Sequence, residues 1–213
     1  MGSPQRAPRP LGWPVLLAVA TWLLLVTTGF VALRVYGAAP GRELGPASSW
    51  PEALGDPGGY ALVMVVHPKC ACSRSSLAEL ARLLARVSVP VTPHVVFTLP
   101  HNADESFRQG DLYDAAARLP GVVLWHDEGG VVTEGLGATT SGTTYLFDPD
   151  RRLLFSGGLT PSRSHEGDSV GRQQILALLA QGRSEVNRSA VYGCALQSEA
   201  LTTLSTLRKA LTR

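Results

Sequence analysis

The chain predicts an α/β sheet domain carried behind one long apolar helix, and three observations lead there. Tyr60–Val66 (YALVMVV) is an unbroken apolar run of strand length, the pattern of a strand covered on both faces. Strand-like and helix-like segments then alternate along the chain, as they do in α/β sheets. Ahead of them, Leu11–Leu33 (LGWPVLLAVATWLLLVTTGFVAL) carries no charge and is long enough, at about 1.5 Å per residue, to span a bilayer core.

Pro14 falls in the first turn of that apolar helix, where its missing N–H costs little, and Trp13 sits where interfacial rings are favoured. The alternative is a cleaved signal peptide, with Arg6 and Arg9 as its basic region and Gly37-Ala38-Ala39 as small residues near a cut. The apolar stretch exceeds the roughly 7–15 residues of a signal core, which favours an uncleaved single-pass anchor. Arg6 and Arg9 before a first helix favour an N-terminus inside, although Arg34 and Arg42 weaken the asymmetry. The domain is then expected outside the membrane, in an oxidising compartment where disulfides persist. The expected plan is an N-terminal tail (1–10), a transmembrane helix (11–33), a Gly/Pro/Ala-rich linker (34–59), a domain (60–182) and a C-terminal extension (183–213). The 213 residues suit one domain plus appendages, and a net charge of +2 with scattered Lys and Arg excludes a nucleic-acid partner.

Within the domain, Leu77, Leu80, Leu84 and Val87 share a helical face, with Glu79, Arg82 and Arg86 elsewhere, and Ser76 with Glu79 fits a capping box. Val91–Leu99 reads as a second strand, Ser106–Leu119 as a helix and Gly121–Asp127 as a third strand. In TTYLFDPDRRLLFSGG (Thr143–Gly158), two apolar runs flank a proline turn, a hairpin signal. After the polar loop Leu159–Gly171, QQILALLAQG predicts a short helix closed by Gly182. Leu201, Leu204, Leu207 and Leu211 recur at helical spacing in the tail, as a face to pack on the domain or a partner.

The chemistry concentrates at HPKCACSRSSLAEL (His67–Leu80). Cysteines that follow a buried strand and open a helix gain from unpaired N–H groups and the positive end of the helix dipole, which stabilise a thiolate. His67, Lys69 and Arg74 add potential positive charge nearby. A strand running into cysteines and then a helix, followed by SGTTYLFDPDRRLLF, resembles the thioredoxin superfamily, specifically its membrane-anchored extracytoplasmic members. With LLFSGGLTPSRSHEGDSVG and YGCAL, the likeness narrows to the RedB-like group. The resemblance covers about Tyr60–Gly182. It implies a thioredoxin-like fold, a central mixed sheet flanked by helices, a domain held on the periplasmic face of a bacterial inner membrane, and thiol–disulfide exchange with a thiol- or disulfide-bearing protein.

The family's usual Cys-x-x-Cys is here Cys70-Ala71-Cys72-Ser73, so Ser73 stands at the resolving position and Cys72 is an extra thiol. Gly142 replaces the family's cis-proline, which puts the familiar backbone docking of substrate in question. The resemblance implies Cys70 as the attacking thiolate, with Cys72 or Cys194 resolving the mixed disulfide. A Cys70–Cys72 bond closes a small, strained and readily reduced ring, whereas a bond to Cys194 joins the tail to the site. Three cysteines cannot all pair within one chain. The same thiolate chemistry can begin with peroxide and a sulfenic acid.

The rival expectation is a Cu(I) chaperone, with Cys70 and Cys72 joined by Cys194, His67 or His165, since soft ligands select such ions. In the exchange reading no cofactor is expected. Arg163, His165, Glu166 and Asp168 lie on a loop that can reach the cysteine end of the sheet and there bind an anion or relay a proton, or simply remain solvated. His94, His101 and His126 read as ordinary structural or surface residues. The chain has no Walker loop, nucleophile elbow or HExxH, and Asn187-Arg188-Ser189 is a glycosylation sequon that matters only in a secreted eukaryotic protein.

Overall fold

The computed structural model describes residues 12–42, 45, 50–182 and 187–196. The chain divides into two compact units, one ending at Gly37 and one beginning at Ala38. The first is built around helix α1 (Trp13–Ala38), which is long and apolar enough to cross a membrane. It runs five residues beyond the expected end at Leu33, because nothing from Arg34 to Gly37 stops a helix, and Pro40 follows shortly after.

The second unit is a five-stranded mixed sheet. Its strands are β1 (Tyr60–Val66), β2 (Val91–Leu99), β3 (Val123–Glu128), β4 (Thr143–Phe147) and β5 (Leu153–Gly157), in the order β3-β2-β1-β4-β5. β1 is central, parallel to β2 and antiparallel to β4; β2 and β3 are parallel, β4 and β5 antiparallel. The mixed sheet flanked by helices is the architecture the resemblance implied.

The apolar run of β1 is explained by two cores. Leu62, Met64 and Val66 face one side with Leu77, Leu80 and Leu83 of α2 (Cys72–Leu84), Leu112 and Ala116 of α3 (Asp111–Ala117) and Ile175 and Leu178 of α5 (Val170–Gln181). Ala61, Val63 and Val65 face the other with Trp50, Leu54, Leu136, Tyr145, Phe147 and Leu196. Alternation along the strand sends successive side chains to opposite faces, so a strand with a core on each side has no place for polar residues.

Several expectations need correction. Ser76 and Glu79 form no capping box: α2 starts at Cys72 after an uncapped Ala71, Ser76 is inside the helix bonding the Cys72 carbonyl, and Glu79 is fully buried. The expected helix 106–119 is a 3-10 turn (Glu105–Phe107) and then α3, separated by Gly110 at φ 125°. An unexpected short helix, α4 (Val131–Gly135), follows Gly129 and Gly130, both at φ 75°, and the buried Asp127 carboxylate accepts the N–H groups of Val132 and Thr133. The hairpin and α5 form as expected, with α5 capped by Ser169 and closed by Gly182 in the left-handed conformation.

The segment read as linker is anchored in part. Trp50 and Leu54 are buried in the second core, and the Gly41 N–H donates to the Val191 carbonyl at 2.7 Å. Trp50 sets its edge on Phe147 and on the buried His94, whose Nδ1 accepts from Trp125 Nε1 at 3.1 Å. The leucine face from Leu201 to Leu211 lies outside the described residues.

A three-cysteine candidate active site

The central strand β1 reaches its C-terminal end at Val66, and a tight turn begins at His67. The His67 carbonyl accepts the Cys70 N–H at 3.1 Å, and the Cys70 carbonyl accepts the Ser73 N–H at 3.0 Å. Since Ala71 provides no side-chain cap, the sulfur of Cys70 takes that role and accepts from the Cys72 N–H.

Cys194 arrives from the far end of the sequence. Its carbonyl accepts the Ser141 N–H at 2.8 Å, and the Leu196 N–H donates to the Thr139 carbonyl at 2.9 Å, around an antiparallel bridge between Thr140 and Ala195. This pairing sets the Cys194 sulfur 2.7 Å from that of Cys70, with both cysteines free and sharing a hydrogen bond. Cys72 completes the group: the three sulfurs lie within 4.8 Å of one another, and Ser164 Oγ donates to Cys72 Sγ at 3.2 Å.

The two members of the close pair are driven apart in acidity. Burial opposes charge on Cys70, but hydrogen bonds from the Cys194 thiol and backbone, the Ser73 hydroxyl and the Cys72 N–H outweigh it and bring its pKa below the ordinary 9.0. Cys194 is pushed up to about 12, first by burial and then by its bond to Cys70 and the charges of Cys70 and Cys72. Cys70 is therefore the member of the pair that gives up its proton first, and Cys194 the one that keeps it.

Ser73, at the family's resolving position, is fully buried, with its hydroxyl 2.7 Å from that of Ser141, which also accepts the His67 N–H at 2.8 Å. The cations foreseen as thiolate partners are engaged elsewhere. Lys69 reaches Ser106 at 2.9 Å and covers the Phe107 ring, and Arg74 pairs with Asp111 at 2.9 Å. Burial, then the neighbouring Lys69 charge, lowers the His67 pKa, which disfavours a charged ring there. Gly142 sits at φ 93°, with its N–H on the Val65 carbonyl at 2.7 Å and an added Cβ 2.6 Å from Ser76 Oγ. Proline, fixed near φ −65°, does not fit this backbone.

The polar loop does reach the site. Arg163 donates to the Gly193 carbonyl, one residue before Cys194. His165 is exposed and turned onto the Arg163 carbonyl, and Glu166 pairs with Arg82 at 2.5 Å. Glu79 holds this loop down: it accepts the Gly167 N–H at 2.7 Å and pairs with buried Arg172, which also pairs with Asp168. Ser141, Ser164, Glu79 and Arg172 were not foreseen. Nothing in the spacing of the serines marks them, and Glu79 reads as a surface position by its helical phase. Among the described residues, the group able to hold a metal ion comprises Cys70, Cys72 and Cys194, with neither His67 nor His165 in it.

No protein-family model matches the chain, and no curated protein matches it. Solved structures do. An uncharacterized conserved protein from Geobacillus kaustophilus superposes with a TM-score of 0.52 at 20% identity, covering 76% of this chain and 93% of its own. A hypothetical protein from Sinorhizobium meliloti 1021 gives 0.53 at 16% identity, over 74% and 93%. A more distant likeness is to an exposed lipoprotein thioredoxin from Streptococcus pneumoniae, at a TM-score of 0.40 and 15% identity over 58% and 85%.

Proposed function

This chain has the thioredoxin-like fold, and from that premise we propose that it is a membrane-anchored thiol–disulfide oxidoreductase in which Cys70 attacks and Cys194 resolves. The observation that carries the reading is the 2.7 Å approach of two free thiols whose acidities are driven in opposite directions at the start of α2. In the first step the Cys70 thiolate attacks a substrate disulfide; a Cys70–substrate disulfide forms and the other substrate sulfur leaves as a thiolate. Loss of the Cys70 charge removes one of the causes that hold the proton on Cys194, which passes to the leaving thiolate or to water. Cys194 then attacks the Cys70 sulfur, forming the Cys70–Cys194 disulfide and expelling the second substrate thiolate. The substrate gains the two electrons that the protein dithiol loses, and the reverse steps oxidise a substrate dithiol. Cys72, held by Ser164, is outside this central pair.

Placement is part of the proposal. α1 serves as a single-pass anchor with the N-terminus inside and the domain on the extracytoplasmic side, as in the RedB-like proteins its motifs resemble. The decisive experiment is mass spectrometry of the alkylated full chain after equilibration across thiol–disulfide buffers. A reversible Cys70–Cys194 bond is expected, with a potential above the roughly −300 mV of inert structural disulfides. Thiols that never oxidise overturn the reading.

One observation favours a second reading. Three sulfurs within 4.8 Å suit a soft ion, so Cu(I) carried as cargo is the alternative. It predicts a stoichiometric Cu(I) complex lost on replacing Cys194, where exchange requires only the reversible bond.

A further inference from the structure

The segment that brings Cys194 to the site is built as a bound peptide. From Val191 to Leu196 it makes three backbone hydrogen bonds to other parts of the domain, with Gly41, Ser141 and Thr139, the last two as an antiparallel pairing along residues 139–141. Gly193 passes so close to Ser141 that an added Cβ would lie 1.9 Å from the Ser141 carbonyl oxygen. Leu196, two residues after the cysteine, is buried in the core that contains Trp50 and Leu54. Arg163 clasps the Gly193 carbonyl from the other side. Cys70 is left only 2% exposed, so a protein disulfide cannot reach it while the segment is in place.

We propose that Gly193–Leu196 is an internal pseudosubstrate, and that the protein's partner is an extended peptide segment that takes its place along Thr139–Ser141. The inference rests on the exchange reading and adds to it the shape of the substrate. The position before the partner's cysteine is glycine, because any side chain there meets the Ser141 carbonyl. The position two after it is apolar, because it enters the site that Leu196 fills. The position between them, opposite Thr140, follows Ala195 and is small. Oxidation to the Cys70–Cys194 disulfide ties the segment down covalently; reduction frees it to exchange with the partner. In the dithiol state the segment still covers Cys70, but only hydrogen bonds and the burial of Leu196 hold it there.

The test uses the full chain in detergent and the peptide acetyl-Val-Tyr-Gly-Cys-Ala-Leu-amide, its cysteine in a mixed disulfide with 5-thio-2-nitrobenzoate. Attack of the Cys70 thiolate on the peptide sulfur forms the Cys70–peptide disulfide and releases the coloured thiolate. Two further peptides carry valine for the glycine or aspartate for the leucine, and each rate is divided by that peptide's rate with glutathione. The parent peptide is expected to react at least about tenfold faster than either, the factor that overpacking of one close contact produces. In the protein, Gly193→Val is expected to displace the segment and raise the rate of Cys70 alkylation by iodoacetamide at least about tenfold. Equal normalised rates for the three peptides, or an unchanged alkylation rate in a folded Gly193→Val protein, overturn the inference. Should that variant not fold, the peptide comparison on the unaltered chain decides alone. Symmetric 5,5′-dithiobis(2-nitrobenzoate) separates the two levels. A reaction lost in Cys70→Ser keeps Cys70 as the attacking thiol of the exchange reading whatever the peptides show, and a reaction unaffected by that change removes the exchange reading itself.

Discussion

Helix α2 carries two buried polar clusters that are organised in opposite ways. In the turn that leads into its N-terminus, the Cys70 sulfur is met by hydrogen bonds that lower its pKa, with Lys69 and Arg74 engaged elsewhere. Two turns further on, the fully buried Glu79 is neutralised by Arg172 and Arg82 and also accepts the Gly167 N–H. A buried charge that meets a fixed counter-ion has nothing further to do chemically, and it holds pieces of chain together. A buried charge held only by dipoles keeps its nucleophilicity. The difference separates the candidate reactive turn at the start of α2 from the part of the helix that positions the loop carrying Arg163 and Ser164.

Breaking the second cluster has the largest effect on stability. Glu79→Ala leaves Arg172 buried without its main partner and is expected to cost about 3–5 kcal/mol, read as a lower midpoint in denaturant unfolding. Cys70→Ser is expected to give the opposite profile: exchange is lost while the unfolding midpoint moves little. A chain with Cys194→Ala should accumulate the mixed disulfide, visible as a mass adduct on Cys70, and Cys72→Ala should not.

Acidity sharpens the comparison further. Because the Cys70 pKa is lowered on folding, its thiolate contributes stability that is present above the ordinary thiol pKa and is lost as pH falls through the folded value. The rate of Cys70 alkylation should therefore reach half its maximum below pH 9, and Cys194→Ala should move that midpoint upward by removing the first of the hydrogen bonds that stabilise the thiolate. The smallest effect belongs to Arg74, whose exposed pair with Asp111 is worth less than about 1 kcal/mol. Arg74→Ala should leave both the unfolding midpoint and the Cys70 alkylation profile where they are.

Most of the fold was legible because β1, the hairpin and α5 announce themselves by local pattern: a continuous apolar run, a proline turn, an apolar helical stretch with a closing glycine. α4 was not, since five residues are too few to show a period and its stabilising carboxylate, Asp127, sits in the preceding strand. The strand–turn–helix junction at Cys70, where the candidate site lies, was legible for a similar reason. Its partner was not fixed by sequence, because Cys194 reaches Cys70 through pairing with residues 139–141 rather than through spacing. Glu79 reads as a capping residue, because charge on a helix suggests solvent until the arginine that covers it, 93 positions later, is known.

The aromatic cluster around His94 gives the domain an optical signature. Of the four tryptophans, Trp13 and Trp22 belong to α1, while Trp50 and Trp125 both lie against the His94 ring. Burial brings the His94 pKa to about 4 from 6.5, so the folded ring is uncharged where an unfolded chain takes up a proton, and stability falls as pH drops between those values. A protonated imidazole quenches indole emission, so an acid titration reads the same event in light: steady fluorescence while the cluster excludes the proton, then a drop when it is admitted.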